Sequence, residues 1–201
     1  MSLFNVHPDI AKAKTLHTSF YTNLSNFEVA KAKIFFPSWQ FIGDTSLVPE
    51  IGSCYPFTLL PGYLDEPLLL TRPENGQVHI MSNVCTHRGN ILVNEPCKSA
   101  HIRCRYHGRL FGLDGKFKSM PEFKEVENFP AQEDNLHGPS LYKWGNLLFI
   151  NLEQKLNARN YLGDMMDRLS FLPLEEFHFR PDLSVSYEVK AHWALYCENY
   201  L

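Results

Sequence analysis

Four side chains constrain this sequence more than any others: Cys85 and His87 in Cys85-Thr-His87-Arg-Gly89, and Cys104 and His107 in Cys104-Arg-Tyr-His107-Gly108. Each Cys/His pair belongs on a tight loop, so that its two side chains reach one compact inorganic centre, and a hairpin base must hold the two loops together. Gly89 and Gly108 follow the histidines at positions where the backbone needs conformations barred to residues with a Cβ, and where amide N–H groups approach the centre.

Two thiolates and two imidazoles at this spacing are the ligand set of a Rieske [2Fe-2S] centre, in which His replaces Cys on one of the two irons. Such a centre requires the pairs to cross, with Cys85 and Cys104 on the inner iron and His87 and His107 on the outer one. Neutral imidazoles in place of two thiolates raise the potential above that of all-cysteine clusters, and the site takes one electron at a time. Tetrahedral zinc is the competing reading, because close Cys/His pairs also bind Zn²⁺. Cys-x-His is an unusual zinc spacing.

The rest of the chain narrows the setting. At 201 residues and 44% apolar content it can bury one substantial core and part of a second, so one or two domains are expected. A net charge of -3 and a pI near 6.3 give no global field for nucleic acid or an anionic membrane. The N-terminus lacks a basic start and an apolar run of signal length, and no stretch reaches membrane-span length, so a cytoplasmic protein with neither nucleic-acid nor membrane partner is expected. Cys54, Cys97 and Cys197 read as reduced, small buried hydrophobes.

Ser25-Asn-Phe-Glu28 has the form of a capping box, opening a short helix that must stop near Pro37. Beyond it, apolar runs alternate with turn dipeptides: Tyr55 to Leu60 before Pro61-Gly62, Leu68 to Thr71 before Asn75-Gly76, Gln77 to Asn83, Ile102 to Arg105, and Arg109 to Leu113 before Asp114-Gly115. Trp144 to Asn151 reads as the last strand, and Pro121 to His137 as a long loop. The expected fold class is mainly β: an antiparallel β domain over 38–153, flanked by α+β segments at 1–37 and 154–201. Within the last segment, Leu156 to Leu172 is helix-like, Ser184 to Lys190 alternates like a strand, and Trp193 to Leu201 begins a further element.

These motifs, together with Ile34-Phe-Phe-Pro-Ser-Trp39-Gln-Phe-Ile-Gly43, Gly108-Arg-Leu-Phe-Gly-Leu-Asp-Gly115 and Trp144-Gly-Asn-Leu-Leu-Phe-Ile-Asn151, resemble the N-terminal half of Rieske non-haem iron oxygenase α subunits of the aromatic-ring-hydroxylating type. The resemblance covers nearly the whole chain. It implies that 38–153 is a Rieske domain inserted in a catalytic domain whose parts are 1–37 and 154 onward. It also implies that the complete protein hydroxylates or demethylates an organic substrate, an aromatic one included, with O₂ at a mononuclear Fe(II) held by two His and a carboxylate. His192-Trp-Ala-Leu-Tyr-Cys-Glu198-Asn199 looks like the segment just before those iron ligands, which are absent here. Glu175/His178 and Asp134/His137 do not substitute for them, and no catalytic residue is assigned. The family further implies an electron-donating ferredoxin or flavin reductase and a homotrimer. A stand-alone Rieske ferredoxin-type carrier is the alternative, although such a carrier does not need residues 156–201.

Arg88, Lys98, Arg103, Arg105 and Arg109 crowd the two motif loops and form a candidate docking face for an acidic donor. His79, His101, His137, His178 and His192 lie outside ligand spacing. Asn90 stands where high-potential Rieske proteins carry a disulfide cysteine, and no hydroxyl residue follows Gly108, so the sulfur hydrogen bond that such a hydroxyl would add is not expected. A redox titration should therefore place the midpoint in the lower half of the roughly -150 to +300 mV Rieske window; a midpoint above the middle of that window contradicts the reading.

Overall fold

The computed structural model describes residues 4–123 and 125–200, so Leu201, the end of the last expected element, lies outside them. The alternating apolar runs form three antiparallel sheets. One joins β1 (Gln40–Asp44), β10 (Leu147–Asn151) and β9 (Ser140–Trp144) in that order. The second has the order β4 (His79–Ser82), β3 (Glu66–Thr71), β2 (Ser53–Leu59), β5 (Cys97–Lys98). The third is β6 (His101–Arg103), β7 (Leu110–Gly112) and β8 (Phe117–Ser119).

Successive strand residues point to opposite faces, so the unbroken buried run Leu68-Leu69-Leu70-Thr71 means that β3 is covered on both sides. Leu69 packs with Cys54, Met81, Ile102 and Phe111 in the core that also holds Cys85 and Cys104. Leu68 and Leu70 face the opposite way, against Leu59, Ile150, Val48 and Leu148. The buried Thr71 hydroxyl donates to the Leu113 carbonyl at 2.6 Å and ties this sheet to the β7–β8 hairpin.

Several elements differ from the sequence reading. Trp144 ends β9, and the last strand starts only at Leu147, because Gly145-Asn146 makes a two-residue hairpin turn with Gly145 at φ 57°. A Cβ on Gly145 would sit 2.5 Å from the Leu174 side chain. The helix expected from Ser25 begins at Leu24 as α2 (Leu24–Ala30), after the one-turn α1 (Ser19–Thr22), and its cap is Asn23, whose side chain accepts from Ser25 N–H at 2.9 Å. A wider π-type turn over Lys31–Phe35 carries it to the stop before Pro37.

The expected helix after Leu156 is α3 (Ala158–Arg168), capped by Asn157, with Ala158, Leu162 and Met166 buried at four-residue intervals against Trp39 and Phe149. Ser184 to Lys190 forms no strand. Val185 and Tyr187 are 71% and 83% exposed, since alternation makes a strand only where a neighbouring strand takes its hydrogen bonds. α4 (Trp193–Tyr200) follows. By packing, the described residues fall into two units, Phe36–Phe179 and the N-terminal segment through Phe35 grouped with the residues from Arg180. In the second unit Phe20, Tyr21, Phe35, His192 and Trp193 make an aromatic group with edge-on contacts of Phe20 and Tyr21 to His192 and of Phe20 and Phe35 to Trp193, and Tyr21 donates to Glu198.

Candidate metal centre

The two motif loops close by one backbone pattern. Cys85 N–H donates to the Asn90 carbonyl at 2.9 Å while Gly89 N–H donates back to the Cys85 carbonyl at 3.0 Å; Cys104 N–H donates to Arg109 at 2.8 Å while Gly108 N–H donates back to Cys104 at 3.0 Å. The flanking residues pair as well, Val84 with Ile91 and Arg103 with Leu110. Gly89 and Gly108 take φ of 70° and 73°, left-handed values that glycine adopts without cost. Buried Asn83 clamps the base of the first loop, its side chain donating to the Val93 carbonyl at 2.7 Å and accepting from Val93 N–H at 3.0 Å.

The loops bring all four motif residues together. Cys85 and Cys104 are 3% and 2% exposed, and their thiols lie within hydrogen-bonding reach of each other. Farther out, the half-buried rings of His87 and His107 stand edge-on with centroids 4.7 Å apart. Both histidines leave Nδ1 buried with no hydrogen-bond partner. An unsatisfied buried nitrogen costs about 1–3 kcal/mol, so two of them side by side point to a ligand that satisfies both.

Among the described residues, no three His, Cys, Asp or Glu groups are placed to hold one metal ion. The arrangement is a thiol pair beneath an imidazole pair, which suits a two-iron core with one pair on each iron better than a single zinc.

Electrostatics favour the ligating forms unequally. Burial, the Cys104 thiol and its hydrogen bond push the Cys85 thiol up, against the pull of the His87 N–H and Arg109. Burial also acts upward on Cys104, but the Tyr106 and His107 N–H groups, Cys85 and the Asn90 side chain together bring it below the ordinary thiol value. Burial, then His107, Arg109 and Arg88, hold His87 below the usual histidine value and so favour the neutral ring that binds metal.

Arg109 is the main correction to the docking face. It is 3% exposed and lies inside, where its Nη1 donates to Thr86 Oγ1 at 2.8 Å and to Asp134 Oδ1 at 3.0 Å, between the Phe117 and Phe129 rings. Thr86 in turn donates to the Asp134 carbonyl at 2.9 Å, and Asp134 Oδ2 accepts from Ala131 N–H at 2.8 Å. One guanidinium therefore joins both motif loops to the Pro121 to His137 segment, which the sequence reads as a long loop. That segment also sets Phe123 at 6.1 Å from the His87 ring. Arg88, Arg103 and Arg105 remain exposed, while Lys98 is exposed but paired with Glu50 at 2.7 Å. Cys97, expected to be buried, is exposed, as is Cys197.

The sequence gives no signal for Thr86 or Asn83, and it marks Asn90 only as the place of a disulfide cysteine in other Rieske proteins and Asp134 only as a carboxylate rejected as an iron ligand. A buried arginine needs a carboxylate, and the acidic run after Pro121 holds the candidates, but nothing in the pattern selects Asp134 as the partner of Arg109.

The Rieske [2Fe-2S] domain family matches residues 38–130. The chain is similar to the chloroplastic choline monooxygenase of Beta vulgaris, 28% identical over 94% of this chain and 42% of that protein. It is also similar to the apo quaternary ammonium Rieske monooxygenase CntA (25% identical, TM-score 0.70, covering 79% of this chain and 46% of that one). Naphthalene 1,2-dioxygenase matches with TM-score 0.61 at 25% identity, over 72% of this chain and 32% of that one. This chain carries a Rieske [2Fe-2S] domain, and it is homologous to Rieske oxygenase α subunits. It spans about two fifths to one half of the length of the curated relatives it matches.

Removing one partner of a buried ion pair leaves the other charge uncompensated. Arg109→Met should therefore destabilise the protein by about 3–5 kcal/mol, and Arg109→Met combined with Asp134→Leu should recover a large part of that loss. Urea unfolding checks both; a single substitution within about 0.5 kcal/mol of the parent, the range of neutral surface changes, contradicts the role given to Arg109.

Proposed function

We propose that Cys85 and Cys104 bind the inner iron and His87 and His107 the outer iron of the cluster, and that this chain is the electron-accepting part of a Rieske oxygenase α subunit. The pair of orphaned, buried Nδ1 atoms on two rings 4.7 Å apart, in the same loops as two buried thiols, is the observation that carries the ligand assignment. A [2Fe-2S] cluster bound there supplies one-electron transfer. The chain's own part is to seat it through two identically closed loops, to donate backbone N–H groups toward the cysteines, and to keep the imidazole side nearer to solvent than the thiol side.

The oxygenase reading is preferred to a free-standing carrier because similarity to the choline monooxygenase runs over 94% of the chain, well beyond residues 38–130. Residues 38–153 are proposed as the Rieske domain, with 1–37 and 154–201 as portions of the catalytic domain; the grouping of the N-terminal segment with the residues from Arg180 supports an inserted arrangement, while 154–179 pack with the β domain. In the complete protein a mononuclear Fe(II) is expected. The names of the relatives favour monooxygenation of a quaternary ammonium compound over dihydroxylation of an aromatic ring. No helix among the described residues is long and apolar enough to cross a membrane, and a cytoplasmic setting is proposed alongside homologues named chloroplastic.

The donor would be a ferredoxin or flavin reductase presenting acidic residues to Arg88, Arg103 and Arg105, with a homo-oligomer as the working assembly. Anaerobically prepared protein should hold two irons and two acid-labile sulfides per chain, show a Rieske-type EPR spectrum on reduction, and accept electrons from such a donor at a rate that falls as ionic strength rises. Zinc in place of iron overturns the ligand assignment, and a salt-independent rate overturns the docking face.

A further inference from the structure

Two of the cysteines outside the motif loops face each other. Cys54 of β2 lies directly opposite Cys97 of β5 in the antiparallel ladder. Opposed residues in such a ladder have Cα atoms about 4.5–5.5 Å apart, inside the range of about 4.4–6.8 Å that a disulfide spans. The two residues differ in exposure: Cys54 is 2% exposed, its Sγ donating to the Gly52 carbonyl at 3.7 Å, and Cys97 is open to solvent. β5 is two residues long and is the edge strand of its sheet, so joining the sulfurs asks for only a local adjustment.

We propose that Cys54 and Cys97 are a redox-active dithiol that closes into a disulfide on exchange with a low-molecular-weight disulfide. The exposed Cys97 loses its proton to solvent and attacks the incoming disulfide, forming a mixed disulfide and releasing the first small thiol. Cys54 Sγ then attacks Cys97 Sγ, the Cys54 proton passing to the second departing thiolate. Two protein thiols are oxidised by two electrons, one disulfide is reduced to two thiols, and the protein gains one S–S bond. Burial, with Cys97 alongside, pushes the Cys54 thiol up to about 12, consistent with Cys97 acting first.

The position gives the bond a structural consequence. β5 follows the loop of Cys85 and His87 and leads, through Ser99 and Ala100, into β6 and the loop of Cys104 and His107. A closed disulfide would fasten this connection to β2, where Ser99 N–H donating to Gly52 at 2.9 Å and the Lys98–Glu50 pair hold it now. The pair is independent of the cluster assignment, and thiol chemistry reads it directly.

The test treats cluster-containing protein, first reduced and freed of reductant, with excess glutathione disulfide and follows intact mass and peptide maps. The unsubstituted chain should lose the mass of two hydrogens at this pair, yield a linked peptide containing Cys54 and Cys97, revert with dithiothreitol, and keep its visible cluster spectrum. Cys54→Ser should instead hold glutathione on Cys97, and Cys97→Ser should leave Cys54 unmodified; Cys54→Ala serves if the serine is not tolerated in the core. Exposed Cys197 provides an internal reference for reagent access. Glutathione remaining on Cys97 equally in the unsubstituted and Cys54-substituted chains, linkage between chains through Cys97, or no reaction at Cys97 would each overturn the proposal.

Discussion

The backbone closure at the start of each motif loop is the constraint on which the rest depends. A cysteine N–H reaches the carbonyl five positions ahead, and a glycine N–H four positions ahead reaches back to the cysteine carbonyl. That ring of bonds turns the chain within six residues, keeps the thiol in the core, and lets the histidine of the same loop stand farther out. Because both loops close alike, the thiols meet beneath the imidazoles, although one motif spaces its ligands by one residue and the other by two. The glycines are required because the bond back to the cysteine is made from a left-handed residue in both cases.

The surrounding β structure holds these loops in register. β3, buried on both faces, gives one side to the core of Cys85 and Cys104 and the other to the sheet of β1, β9 and β10. Asn83 fixes the base of the first loop, and the β6–β7 pairing fixes the base of the second. Arg109 supplies a third connection, since its guanidinium reaches a hydroxyl in one loop from the backbone of the other and is neutralised by a carboxylate from a segment without strands. Charge buried in this way is tolerable only with its partners in place, so the segment from Pro121 to His137 belongs to the centre even though it contributes none of the proposed ligands.

Much of this was legible in the residues themselves. The meeting of the four motif residues, the loops that carry them and most strands followed from Cys/His spacing, period-two apolar runs and Asn-Gly or Asp-Gly turns, because these are local patterns with local causes. What escaped was set at long range. The burial of Arg109 depends on Asp134, twenty-five residues away, and the break at Gly145-Asn146 inside an apolar run depends on how β9 pairs with β10. Ser184 to Lys190 has strand alternation but no neighbouring strand, and Cys97 reads as a small hydrophobe although its edge position leaves it open. Periodicity states which residues can share a face; it does not state what covers that face.

The central claim is that one binuclear cluster is held by a thiol pair and an imidazole pair, with the two Nδ1 atoms as outer ligands. Hyperfine spectroscopy of the reduced, iron-loaded protein, with histidine carrying ¹⁵N at Nδ1, tests it most directly. The account predicts two directly bound nitrogens, from His87 and His107, superimposed on a Rieske-type spectrum. A reduced cluster with no directly bound nitrogen, or with only one, would contradict it.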